Sequence, residues 1–153
     1  MKNTDKYLYF IFAVVGWIFL KSGFEKISAG KFVGALGATL TKFAKDNPYP
    51  PVKAFLENVA VPNSAVFGFL TQWGEFLAGI NLLLLSLWMI FNPKSGQRYS
   101  KLMALGFGTG LLLNITFWLA AGYTSPSTGG LNLVMGAINL TGLIFILRES
   151  KAK

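Results

Sequence analysis

Glu75 is the residue whose type and setting most demand a chemical account. It is the one acid embedded in an apolar span, about ten residues into the stretch from Ala65 to Phe91 and roughly 15 Å along a helix from its start. An ionised carboxylate facing lipid at that depth costs several kcal/mol, so Glu75 must be paired, protonated or solvated. Thr71, Gln72, Ala78, Gly79 and Leu82 share its helical face, and the small residues among them let a neighbouring helix come close.

Candidate partners stand at similar depth in the other apolar stretches. Lys21 lies near the end of the first and Lys26 just beyond it, Asn114 lies about seven residues from the end of the third, and Asn132 and Asn139 share a face of the fourth. Two readings follow. In one, Glu75 forms a buried ion pair with Lys21 or Lys26 and the asparagines bond across helices as packing links. In the other, Glu75 takes or gives protons beside a bound quinone or small anion, with Lys21, Lys26, Trp73, Asn114 and Asn139 holding that substrate. Trp17, Trp73 and Trp118 can wall a flat ring or serve as interfacial anchors, and Trp88 reads as an anchor. Gly106 and Gly110 form a helix-packing face and carry no phosphate site, because they lie inside an apolar span.

Composition narrows the chemistry. The 153 residues include no cysteine and no histidine. Thiolate nucleophiles, iron–sulfur clusters and the commonest haem and metal ligands are therefore unsupported, and no metal, haem or cluster is expected. Carboxylate, lysine, tyrosine and amide chemistry remain. A formal charge of +8 raises the question of nucleic acid, yet the Lys and Arg residues fall between or beyond the apolar spans, where lipid headgroups account for them.

The elements that must position these groups are membrane helices. Hydrophobic residues make up 53% of the chain, charged residues 13%, and the mean hydropathy is +0.51. Stretches over 7–24, 65–91, 102–121 and 131–147 are long enough to cross a bilayer as helices, about 20 residues each. The first has no signal-peptide cut site and reads as a retained helix. The expected fold is an all-α integral membrane four-helix bundle of one domain, with a long outer loop carrying a short amphipathic helix. That loop runs from about Glu25 to Ser64, and its Lys-rich part and the cluster Asn47-Pro48-Tyr49-Pro50-Pro51 are expected to be non-helical. The short helix is expected over 52–59, with Val52, Phe55, Leu56 and Val59 on one face. Asn92-Pro93 ends the second span, and an uncharged loop of Gly, Ser, Thr and Pro joins the third and fourth. Lys2 and Lys6, then Lys94, Arg98 and Lys101, then Arg148, Lys151 and Lys153 place both termini in the cytoplasm and the proline-rich segment outside.

Taken together, Gly16-Trp17, Phe19-Leu20, Gly23 and Lys26, then Asn47-Pro48 and Phe55-Leu56, then Pro62-Asn63, Gly68, Gly74-Glu75 and Gly79 with Leu82 give a chain that resembles the DoxX/DoxD membrane proteins. Within that family it resembles the DoxD-type subunit of thiosulfate:quinone oxidoreductase. The resemblance implies thiosulfate oxidation to tetrathionate outside the inner (cytoplasmic) membrane of a prokaryotic cell, with electrons passing to quinone. It also implies a second membrane or periplasm-facing subunit beside the lipid and quinone partners, with Lys21, Lys26 and Lys31 as points that attract the dianion. A non-catalytic accessory subunit of a larger energy-converting complex is the competing expectation, and a small transporter a third.

Overall fold

Apolar runs of this length satisfy their backbone in lipid only as helices or closed barrels, and the computed structural model, which describes residues 3–92 and 96–151, is helical nearly throughout. The order is α1 (Asn3–Ala29), α2 (Phe32–Lys45), α3 (Pro50–Phe55) continuing as a π-helical turn (Leu56–Ala60), α4 (Ser64–Phe91), α5 (Gly96–Ala121), a 3₁₀ turn (Gly122–Thr124) and α6 (Pro126–Lys151). Helices α1, α4, α5 and α6 are long and apolar enough to span a membrane. The chain is a multi-pass membrane protein built as an all-α bundle. Pro93 and the charges at Lys2, Lys94 and Lys153 lie outside the described residues.

Helices α1 and α4 run antiparallel in close contact because glycine removes the side chain at each approach. A Cβ on Gly16 would meet the Leu83 backbone, on Gly23 that of Phe76, and on Gly79 that of Leu20. Tyr9, Phe12, Phe19, Leu82, Met103, Phe107 and Ile146 fill the bundle interior, with Phe12 edge-on to Phe107 at a centroid distance of 4.7 Å. The α1–α6 ring contacts, from Tyr9 and Phe12 to Phe145, belong to the end of the bundle holding the start of α1.

At the other end, the connection expected to be mostly loop is a helical cap. α1 continues five residues past its expected end, and Gly30, at φ +66°, stops it with its N–H on the Ile27 carbonyl. α2 then occupies the Lys-rich stretch expected to be non-helical. Its prolines all lie beyond residue 45, and Leu36, Leu40 and Ala44 repeat on one buried face while Lys42 and Lys45 are exposed. The expected short helix is present, starting at Pro50, but its buried face differs. The π turn, closed by Val61 N–H on the Leu56 carbonyl, buries Leu56 and Ala60 and leaves Phe55 and Val59 nearly half exposed.

The expected uncharged loop before the fourth span is also largely helix. Ser125, in extended conformation, accepts the Thr128 N–H on its hydroxyl at 3.0 Å, and Pro126 takes the first helical position, where its missing N–H costs nothing. Composition alone made this segment read as a loop; the Ser-Pro start is the signal that it opens a helix.

Candidate functional site

Helical phase decides which polar side chains meet beneath the cap. On α1, Ile18, Ser22 and Lys26 follow at intervals of four and face a cavity, whereas Lys21 points away. Lys26 Nζ donates to Ser22 Oγ at 2.6 Å and to Glu75 Oε2 at 2.5 Å, and lies 5.3 Å from the centroid of the Phe32 ring. Glu75 is buried at the centre of α4, with 3% of its surface accessible. Its depth is tolerable because the ammonium compensates the carboxylate.

The facing helices contribute a ladder of amides. Asn139 Nδ2 donates to Asn114 Oδ1 at 2.9 Å, Asn114 Nδ2 to Asn132 Oδ1 at 3.1 Å, and Asn132 Nδ2 to the Thr128 carbonyl at 2.9 Å. Asn114 and Asn139 are buried and tie α5 to α6. Gly110 makes room for Asn139, whose amide lies where a Cβ would sit, and Gly106 does the same for Asn81 of α4. The Asn81 and Asn139 Oδ1 atoms have no hydrogen-bond partner; each lies against a glycine whose Cα–H is a weak donor.

Between these two walls and under α2 and α3 lies a cavity of about 420 Å³, within the range of small-molecule sites, about 300–1,000 Å³. Lys26, Ser22, Glu75, Asn114 and Asn132 line it as polar groups, with the hydroxyl-bearing Thr39, Thr71, Thr116 and Thr128 beside them. Most of the remaining wall is apolar, with six phenylalanine rings: Phe19, Phe32, Phe43, Phe55, Phe67 and Phe117. Leu131, a lining residue of α6, is 52% exposed and so stands at the mouth.

Of the residues singled out in the sequence, the fold brings Glu75, Lys26, Asn114 and Asn132 to one cavity. Asn139 supports Asn114 from behind without lining it. Lys21 does not join them: it is exposed and pairs with Glu25 at 3.5 Å one turn along the same helix. Trp73 also lies away, since two helical residues separate it from Glu75 by about 200°; it packs between Phe69 and Phe76. Of the two roles open to the tryptophans, anchoring or packing fits better than a ring wall, since none of Trp17, Trp73 and Trp118 is among the lining residues. Trp17 is 56% exposed, and Trp118 packs against Tyr49 of the cap. Lys31 is exposed at the start of α2.

The phenylalanines were missed because four of the six come from α2, α3 and the first turns of α4. The apolar spacing Phe32, Leu36, Leu40, Phe43 was the available signal. The chain matches no known family model, no curated protein and no solved structure.

Proposed function

We propose that the chain is the membrane subunit of a DoxD-like thiosulfate:quinone oxidoreductase and that it holds quinone in the cavity beneath the cap. The observation supporting this is the cavity itself, whose ring-lined apolar wall ends on Lys26 and Glu75 on one side and Asn114 and Asn132 on the other. A quinone needs apolar surface for its ring and tail, and donors for its carbonyl oxygens. Two thiosulfate ions join through a new S–S bond to give tetrathionate and release two electrons. The quinone takes those electrons with two protons to become quinol, and Glu75, beside Lys26, handles protons at the ring.

In this reading both termini face the cytoplasm of a prokaryotic cell and the cap faces outward in the inner membrane. Exposed Lys21 and Lys31 draw the dianion to that surface, where a second subunit meets it. The decisive experiment purifies the protein with its native membrane partners and measures thiosulfate-dependent quinone reduction. Turnover that falls sharply in Glu75→Gln protein supports the assignment; no turnover in the intact complex rejects it.

One observation favours a second reading, a non-catalytic accessory subunit of a larger energy-converting complex. The Lys26–Glu75 pair joins α1 to α4 and the amide ladder joins α5 to α6, so both also serve as helix links. Stoichiometric co-purification with such a complex, without turnover of its own, selects this reading.

A further inference from the structure

Among the described residues α1 packs along α4 and α6 along α5, while α1 and α6 barely touch. The ring contacts of Tyr9 and Phe12 with Phe145 close the α1–α6 seam at the end away from the cap. Lys26 stands fourteen residues after Phe12 on α1, and Leu131 fourteen before Phe145 on α6, two heptads in each case. The two helices run in opposite directions, so both residues stay near the seam face and reach one height, about 21 Å beyond the rings. There the cavity lies between them: Lys26 and Leu131 both line it, and Leu131 is 52% exposed.

The opposite seam, between α4 and α5, is packed beside Glu75. Leu113 comes within 3.6 Å of the place where a Cβ on Gly74 would sit. Thr116, on the Leu113 face, is exposed but turns its hydroxyl back to the Leu112 carbonyl at 2.8 Å. Phe55, the other large lining residue with nearly half its surface exposed, sets its ring edge-on to Phe67 at a centroid distance of 6.0 Å. The opening at Leu131 is therefore the one without a packed pair across it. Leu131 is seventeen residues from Arg148, about 26 Å along α6, so with that arginine at the far interface the mouth opens inside a hydrocarbon core about 30 Å thick.

We propose that the α1–α6 seam is a portal at membrane level, through which an amphiphile enters the cavity head first from the bilayer and leaves its alkyl or isoprenoid tail in the lipid. The inference rests on the quinone-site reading above, which supplies the ring, and adds to it the entry route and the place of the tail. Polarity runs the right way along that route. Ile18 and Leu131 make the lips apolar, whereas Glu75 and Asn114, at 3% and 2% exposure, lie deep where the head arrives. A hydrophilic dianion cannot use a mouth that opens into hydrocarbon, so the portal admits the ring and excludes thiosulfate.

The chain has no cysteine, so a plug can be attached after the protein has folded. Full-length Leu131→Cys protein in detergent is dialysed to equilibrium against decylubiquinone and, separately, against tailless ubiquinone-0, before and after reaction with pyrenylmaleimide. Thr116→Cys protein, treated in the same way, plugs the α4–α5 side. The plug at 131 is expected to weaken decylubiquinone about tenfold or more, the scale of forced overpacking, and to leave ubiquinone-0 within about twofold. The plug at 116 should change neither. Decylubiquinone lost to the plug at 116 and kept with the plug at 131 would put the tail between α4 and α5 and overturn the portal. Equal loss of both quinones at 131 would make Leu131 part of the ring pocket, and no loss at either position would leave the tail inside; each sinks the portal while the quinone site stands. If unplugged and wild-type protein bind neither quinone, the site itself is rejected and the portal with it.

Discussion

Lys26 Nζ reaches Glu75 Oε2 at 2.5 Å from the last turns of α1, with 23% of the lysine side chain exposed against 4% of the glutamate's. The lysine spans the rim and the interior, and the acid depends on it. Replacing Lys26 by Met should therefore leave a buried carboxylate without its counter-charge and destabilise the bundle by about 3 kcal/mol. Converting the pair together, Lys26→Met with Glu75→Leu, should restore most of that stability, because two buried charges are replaced by apolar groups of similar volume. Thermal unfolding in a fixed detergent measures both. A double variant no more stable than Lys26→Met alone would show that the pair is not the source of the loss.

Function and stability should separate at Glu75 itself. Gln keeps an oxygen that accepts the Lys26 N–H, so Glu75→Gln protein should unfold within about 1 kcal/mol of the wild type. It cannot take or give the proton, so quinone reduction should fall on the order of a hundredfold. Quinone binding, measured by dialysis, should change much less than turnover. Full activity in folded Glu75→Gln protein removes the proton role.

How much of this was readable depended on whether one residue or the packing of several decided the matter. Glu75 announced itself because a lone acid inside an apolar span has few alternatives, and the 3.6-residue period placed Thr71, Ala78, Gly79 and Leu82 on its face. The Asn132 and Asn139 spacing likewise marked one face of α6. Choosing between Lys21 and Lys26 was out of reach, because both are near the helix end and their roles follow from the rotation that Gly16 and Gly23 impose on α1 against α4. The cap was obscured differently. The prolines at 48, 50 and 51 dominated the reading of a segment whose first half carries a regular apolar face, and with α2 went the rings of Phe32 and Phe43. The four long helices were legible from hydropathy, while their ends at Ala29 and Pro126 were set by Gly30 and the Ser125 cap.

The α1–α4 approach makes a sharp prediction. A methyl group at Gly79 would collide with the Leu20 backbone, which cannot move as a flexible side chain can. Gly79→Ala should cost about 1–3 kcal/mol and push Lys26 from Glu75 by separating the helices. Gly108, on α5, has open space where a Cβ would go, so Gly108→Ala should be neutral or slightly stabilising. Unfolding of the two variants in the same detergent gives the comparison. Equal stabilities would mean that α1 and α4 adjust their separation freely.

The cap should be held down by two side chains that bridge it to the bundle. Asn47 Nδ2 donates to the carbonyls of Leu119 at 3.1 Å and Ala120 at 3.3 Å while its Oδ1 accepts the Tyr49 N–H at 3.0 Å. Tyr123 O–H donates to the Phe43 carbonyl at 2.9 Å. The buried asparagine completes three bonds across the junction of α2, α3 and α5, so Asn47→Ala leaves two carbonyls and an N–H to find other partners. Tyr123→Phe removes one bond and keeps the ring. Amide hydrogen exchange over residues 32–60 should quicken about tenfold in Asn47→Ala and less in Tyr123→Phe, the scale of lost hydrogen bonds of about 1 kcal/mol each. The α1 and α4 amides around Gly16 and Leu82 should keep their wild-type protection. A cap that opens no faster in either variant is held by its apolar face, through Leu36, Leu40 and Leu56.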